Sequence, residues 1–448
     1  MFQINETFHG VYGANTYKTK VERNKYMKKR IIAISVTLVM LLGIVALTAC
    51  GDDSSGGDGI ILVNNKVEID AQLKAFAAIY EEQFGIHVDV RSFGGETPYA
   101  PALSAMLNAG TEPDIFVFEG TAGWEDAREL GQLTDLSNEP WVSDTDVAFH
   151  DPIDGNIVGF PVAIEGWGLG YNKALLAQAG IDPNTLTNAN TMRDAFVKID
   201  GMKDELGIEA VVSMAAGPGM TWVTGLHGVN AYLTLGLPYD DANKYIDMML
   251  NGQVDHDRLF AWGAYYQMLM ANGIQNTVLN GGYDQQLGDF AVGKTVFIHQ
   301  GNWTDPTFAE LGVTFEMGYV PHAFLPEDTD GIFVGAPSFY LVNAKGNVDA
   351  AKEFLRYMAS SPAGHNYMVT EAGMVPAFKS VTLKPPGQFS IAVQEWANAG
   401  KIYAWKQNDM PSGFGMDTLG PIFEEMAAER IDLAGFIQKV TAAVAAIR

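Results

Sequence analysis

The chain has 448 residues, more than one hydrophobic core usually serves, and is 48% hydrophobic with 18% charged residues, which excludes a single small module and a disordered chain alike. Its 28 Lys+Arg stand against 53 Asp+Glu, a formal charge of −25; a polyanion would meet net repulsion and release few counterions, so nucleic acid is excluded as a partner. A lone cysteine leaves no internal disulfide and no thiolate zinc site to hold the fold.

In chain order, Met27-Lys28-Lys29-Arg30 is a cationic run that leads into a charge-free apolar stretch over 31–46. The stretch ends at Leu47-Thr48-Ala49-Cys50-Gly51, a secretory signal that closes on a bacterial lipobox. Cleavage before Cys50 and lipidation of its thiol are expected, which would anchor the chain to the cell membrane at its extracytoplasmic face. An uncleaved membrane helix over 31–49 and a buried core cysteine are the competing readings. Residues 1–26 precede a natural start at Met27 and read as a mis-assigned upstream extension, 27–49 as the signal peptide, and 50–58, rich in Gly, Asp and Ser, as a flexible tether. Residues 1–49 carry seven basic and two acidic side chains, leaving −30 on the rest.

Beyond the tether, Leu73, Phe76, Ala77, Tyr80 and Phe84 recur at helical spacing, and Ile86, Val88 and Val90 then alternate as in a strand. The run Asp114-Ile115-Phe116-Val117-Phe118 follows a Gly110-Thr111-Glu112-Pro113 turn and suits a strand covered on both faces. Helix and strand patterns alternate onward through 171–179, 211–215, 232–235, 259–270, 295–299 and 350–360, so the fold class is α/β. No linker cuts the body cleanly, and a two-lobed chain would have to cross between its lobes more than once.

The sequence carries no HExxH, paired metal-ligand spacing, GxGxxG or Walker loop, so no metal and no cofactor are expected. Asp255-His256-Asp257 reads as a solvated turn. Fifty-three scattered acids identify no catalytic pair. Tryptophan is more informative: Trp124, Trp167, Trp222 and Trp303 stand beside Gly, Glu, Thr or Asn. A pyranose offers an apolar C–H face and a rim of hydroxyls, which suits flat indoles set beside carboxylates and amides. Each Trp read singly is equally at home in a core.

The segment Phe160-Pro161-Val162-Ala163-Ile164-Glu165-Gly166-Trp167-Gly168-Leu169-Gly170-Tyr171-Asn172-Lys173 closely resembles the crossing strand of the family 1 extracellular solute-binding proteins, the group that contains maltose-binding protein. Gly110-Thr111-Glu112-Pro113-Asp114-Ile115, Phe290-Ala291-Val292-Gly293-Lys294-Thr295, Gly301-Asn302-Trp303, Ala350-Ala351-Lys352-Glu353-Phe354-Leu355 and Gly373-Met374-Val375-Pro376-Ala377 follow in family order. The resemblance implies two α/β lobes joined by hinge strands, with a ligand cleft between them: lobe one over 59–164 and 332–377, lobe two over 165–331 and 378–448. It implies a non-enzymatic receptor that captures a carbohydrate, a di- or oligosaccharide, and delivers it as a monomer to the permease subunits of an ABC importer. By the same resemblance Glu165 accepts sugar hydroxyls and Trp303 stacks on a ring beside Asn302. Glu119 and Phe414 are further ligand contacts, Trp222 and Trp167 additional platforms, and Trp124, Trp405 and Glu96 weaker candidates. A secreted glycoside hydrolase, a sugar-sensing lipoprotein that reports to a membrane receptor, and a receptor for a cationic ligand remain open alternatives. The departure from maltose-binding protein through 183–290 means that maltose itself is not implied.

Overall fold

The structure, a computed structural model, describes residues 59–94 and 99–447. Among these residues twelve strands occur: β1 Ile60–Asn64, β2 Val88–Ser92, β3 Ile115–Glu119, β4 Phe149–His150, β5 Ile157–Pro161, β6 Glu165–Asn172, β7 Ala210–Ser213, β8 Thr295–Gly301, β9 Met317–Val320, β10 Ile332–Gly335, β11 Ser338–Val342 and β12 Ile402–Tyr403. They form two sheets. The first has the order β2-β1-β3-β11-β5-β4; the second has the order β12-β10-β6-β8-β7, with β9 also paired to β6. In the first sheet β2, β1 and β3 are parallel, and the helix Asp70–Phe84 makes the crossover from β1 to β2. Its Leu73, Phe76, Ala77 and Tyr80 fall on one face, as their spacing predicts, and pack against Leu62, Val90 and Phe354.

Each sheet has its own core. Phe160, Tyr340, Phe354 and Phe378 belong to the first, and Trp167, Tyr232, Trp262, Phe297 and Phe423 to the second. The α/β class and the two-lobed layout expected from the sequence are both present. The chain passes between the sheets three times. Residues 162–164 join β5 to β6, and 336–337 join β10 to β11. Phe378 and Val381 still pack in the first core while the helix Gln388–Asn398 packs in the second, so the third crossing runs through 382–387. The expected segment end at 331 lies before the second crossing because β10 pairs with β6 of the second sheet, and that at 377 before the third because Phe378 and Val381 pack in the first core. The first two crossings run side by side, with the Val162 N–H donating to the Ser338 carbonyl at 3.1 Å; the Ile164 N–H donates to the Val375 carbonyl at 2.9 Å.

Strand β6 explains how the second sheet is covered on both faces. With a side-chain period of two, Trp167, Leu169 and Tyr171 face the larger core, while Gly166, Gly168 and Gly170 leave the opposite face bare. The helix Gln388–Asn398 comes down onto that bare face. A Cβ at Gly166 would lie 2.6 Å from a Val393 methyl, and one at Gly170 2.7 Å from the Phe389 ring. The alternating glycines are thus required for close helix-on-strand packing, and the same alternation turns Trp167 inward.

Candidate functional site

Where a parallel strand ends, its next residues project beyond the sheet edge, the usual place for ligands in α/β folds. Asn64, Asn65 and Lys66 follow or end β1, and Glu119 ends β3. Asn64 donates to the Lys66 carbonyl at 2.7 Å, which fixes the turn, and Asn65 donates to Glu119 Oε1 at 2.7 Å. The Ser338 hydroxyl donates to the same oxygen at 3.2 Å. Lys66 Nζ donates to Glu165 Oε1, the first residue of β6, and lies 3.8 Å from Glu68. This ion pair joins the first sheet to the second.

The electrostatics of the group follow from burial and sign. Burial opposes the charge on Lys66, but Glu165, Glu68 and Glu119 outweigh it and hold the ammonium above its ordinary pKa. Burial raises the Glu68 carboxyl, an effect that Lys66 partly offsets. Burial likewise raises Glu119, with Lys66 acting against the rise and Glu165 adding to it. Lys66, Glu68, Glu165, Trp303, Pro306 and Met374 line a cavity of about 20 Å³ between the two sheets.

Trp303 sits on the turn Asn302–Thr304 directly after β8. Its indole N–H donates to Gln300 Oε1 at 3.0 Å, and the ring lies so close to the backbone that a Cβ at Gly301 would fall 2.1 Å from it. Asn302 holds this turn in place. Its carbonyl accepts the Gly166 N–H at 2.8 Å and its amide donates to the Ser390 hydroxyl at 3.1 Å, so both ends of its side chain are engaged within the protein. Trp222, Trp303 and Trp405, all partly exposed, gather around His227, with Trp222 6.2 Å and Trp405 6.1 Å from Trp303 between ring centroids.

The structure therefore brings Glu165, Trp303 and Asn302 to one cavity, with Glu119 electrostatically coupled to it. Trp222 belongs to the adjoining aromatic wall. Trp167 is only 1% exposed, ringed by His299, His322 and Phe333 inside the second core. Phe414 is 5% exposed and also packs in that core, on the turn Phe414–Leu419. Trp124 is buried beneath the first sheet with Phe116 and Phe118. Glu96 and Cys50 lie outside the described residues. The sequence reading missed Lys66, Glu68 and His227; for Lys66 the available signal was its place just beyond the first parallel strand.

A family model, bacterial extracellular solute-binding protein, matches residues 75–415. This chain belongs to that family. A solute-binding protein from Bacillus subtilis (strain 168), the melibiose/raffinose/stachyose-binding protein MelE, is 23% identical over 426 residues, covering 90% of this chain and 95% of MelE. A maltooligosaccharide ABC transporter solute-binding lipoprotein of Streptococcus pneumoniae (strain ATCC BAA-255 / R6) is 26% identical over 75% of this chain and 78% of its own length. Among solved structures, a sugar transporter from Bacillus licheniformis in complex with stachyose matches with a TM-score of 0.69 at 18% identity, over 87% of this chain and 100% of that one. The family recognised from the crossing-strand motif is the one found. For a solute-binding protein, a cleft bounded by two sheets is the expected place of capture, and among the described residues no helix is long and apolar enough to cross a membrane.

Proposed function

We propose that this chain is the extracytoplasmic receptor of an ABC importer, held to the membrane by a lipid on Cys50, acting as a monomer and taking a di- or oligosaccharide without turning it over. One observation carries the reading: the buried Glu165, the half-buried Glu68 and the partly exposed Trp303 indole line the same cavity. Ionised carboxylates accept from hydroxyl donors, and an indole covers the C–H face of a pyranose. The relatives named for raffinose, stachyose and maltooligosaccharides support the same class. A cationic ligand is less suited, because the Lys66 ammonium already occupies the carboxylates that would hold it. We assign Glu165, Glu119, Trp303 and Trp222 to ligand contact, Asn302 to holding Trp303, and Trp167 and Phe414 to the wall behind them.

The experiment is a thermal-shift screen with raffinose, stachyose and maltotriose, followed by calorimetry on whichever sugars raise the melting temperature. Trp303→Ala is expected to weaken binding by about 2 kcal/mol, roughly thirtyfold. Binding with no product over hours supports a receptor. Product formed in proportion to protein concentration would instead make the cleft a hydrolase site, and wild-type affinity in the Ala variant would take Trp303 out of the site.

A further inference from the structure

The most enclosed polar group of the aromatic wall is a histidine. His227 ends the helical turn Trp222–His227, and its ring centroid lies 4.9 Å from Trp303, 5.4 Å from Trp222, 5.5 Å from Trp405 and 5.5 Å from Trp167. It is 8% exposed, and Trp167 behind it is fully buried. Its three other indole neighbours, Trp222, Trp303 and Trp405, are partly exposed. Among the described residues no protein group hydrogen-bonds either ring nitrogen of His227.

The two neighbouring histidines differ. His299 Nε2 bonds the Tyr266 hydroxyl at 3.1 Å and His322 Nδ1 the Tyr265 hydroxyl at 2.9 Å, while His299 Nδ1 and His322 Nε2 are shut in the core without a partner; the His227 nitrogens are not closed off in that way. Taking an imidazole largely out of water without a protein partner costs free energy, and the His227 nitrogens, not among the closed-off polar atoms, keep access to an outside partner. A partner arriving from the cleft would offset that cost. Burial first, then His299 and the Lys66 ammonium, push the His227 pKa down to about 3, so at neutral pH the ring is uncharged and offers one donor and one acceptor. Neighbouring hydroxyls on a sugar ring match that pair, since each can donate or accept.

Resting on the sugar reading above, we propose that His227 is a ligand-binding residue whose ring edge hydrogen-bonds a hydroxyl of a neutral pyranose stacked on the Trp222, Trp303 and Trp405 wall. The indoles supply contact with the ring face; the imidazole supplies orientation, because an unpaired buried polar group discriminates against rings that present no hydroxyl to it.

The test compares wild type, His227→Phe and His227→Gln by calorimetry against raffinose, stachyose and maltotriose, with the sugar-free melting temperature of each as the control on folding. Phenylalanine keeps an aromatic ring among the indoles and removes both nitrogens, so affinity for the best sugar should fall about tenfold while the sugar-free melting temperature holds. Glutamine restores a donor and an acceptor, and should bring affinity back to within about threefold of wild type. Wild-type affinity in the Phe variant overturns the proposal and leaves the sugar reading standing. A Phe variant that loses stability and affinity together, with no recovery of binding in the Gln variant, also overturns it and makes His227 a packing residue. If no sugar in the panel binds wild type, the sugar reading falls and this proposal falls with it.

Discussion

Lys66 and Glu165 are each mostly buried, with side chains 11% and 9% exposed, and they meet across the two sheets. Removing one member of such a pair leaves the other charge without compensation, which costs more than the pair contributes while intact. Lys66→Met is therefore expected to lower the stability of the sugar-free protein by about 3 kcal/mol. Glu165→Gln should cost less, because Glu68 and Glu119 still face the ammonium. The double variant should be more stable than the sum of the two losses predicts, and urea unfolding of the four proteins measures the difference. Additive losses would mean that the two residues act independently. At this scale the meeting of Glu165 and Trp303 at one cavity was foreshadowed by the family motifs in which each lies. Lys66 and His227 were not. Lys66 is one of 28 basic residues in the chain, and nothing in its neighbours announces Glu165, 99 positions away. His227 is defined by indoles from four separate segments, a gathering that exists only after folding.

The elements around the site are held by their ends. The helix Gln388–Asn398 begins with two backbone N–H groups donated to Asp305, from Phe389 at 3.1 Å and from Ser390 at 2.7 Å. The carboxylate suits a helix N-terminus, yet burial raises its pKa from 3.8 to about 6 even though these hydrogen bonds act in the opposite direction. Because the folded pKa lies above the unfolded one, the folded state binds more protons between those values. This group's contribution is fully present below about pH 4, falls as pH rises and has been lost by about pH 6, an effect on the order of 3 kcal/mol. Asp305→Asn cannot titrate and supplies one acceptor in place of two. Its stability deficit relative to wild type should be largest near pH 4 and should shrink by pH 7, as read from melting curves at both values. A deficit that grows with pH would mean that the carboxyl is depressed in the folded protein. The helix over 70–84 could be read from its period and the strand at 114–118 from its unbroken apolar run, whereas strand β6 was legible through the resemblance of its segment to the family's crossing strand. Sheet order could not: β11 lies between β3 and β5, a pairing of Tyr340 with Val117 and Phe160 that joins residues some two hundred positions apart.

At the scale of the molecule, two cores joined by the crossings 162–164, 336–337 and 382–387 leave few backbone torsions to absorb a rotation of one sheet against the other, the usual construction of a hinge. The cavity between them, about 20 Å³, is far smaller than the roughly 300–1,000 Å³ of small-molecule sites, so an oligosaccharide would need the sheets to part before it could enter. A ligand that touches both sheets favours closure only to the extent that it binds the closed form more tightly. The Lys66–Glu165 pair is a contact of this kind built into the chain, and because it needs no ligand to form it would favour the closed form of the sugar-free protein. If it does so, breaking it must shift the sugar-free population toward the open form. Small-angle scattering of the body is therefore expected to give a larger sugar-free radius of gyration for Lys66→Met than for wild type. A saturating sugar, chosen from those that bind wild type in the screen, should then contract the variant more than it contracts wild type, because wild type begins closer to the closed form. Equal radii for the two sugar-free proteins would mean that the pair does not govern opening, and an unchanged radius in both at saturation would reject hinge closure itself.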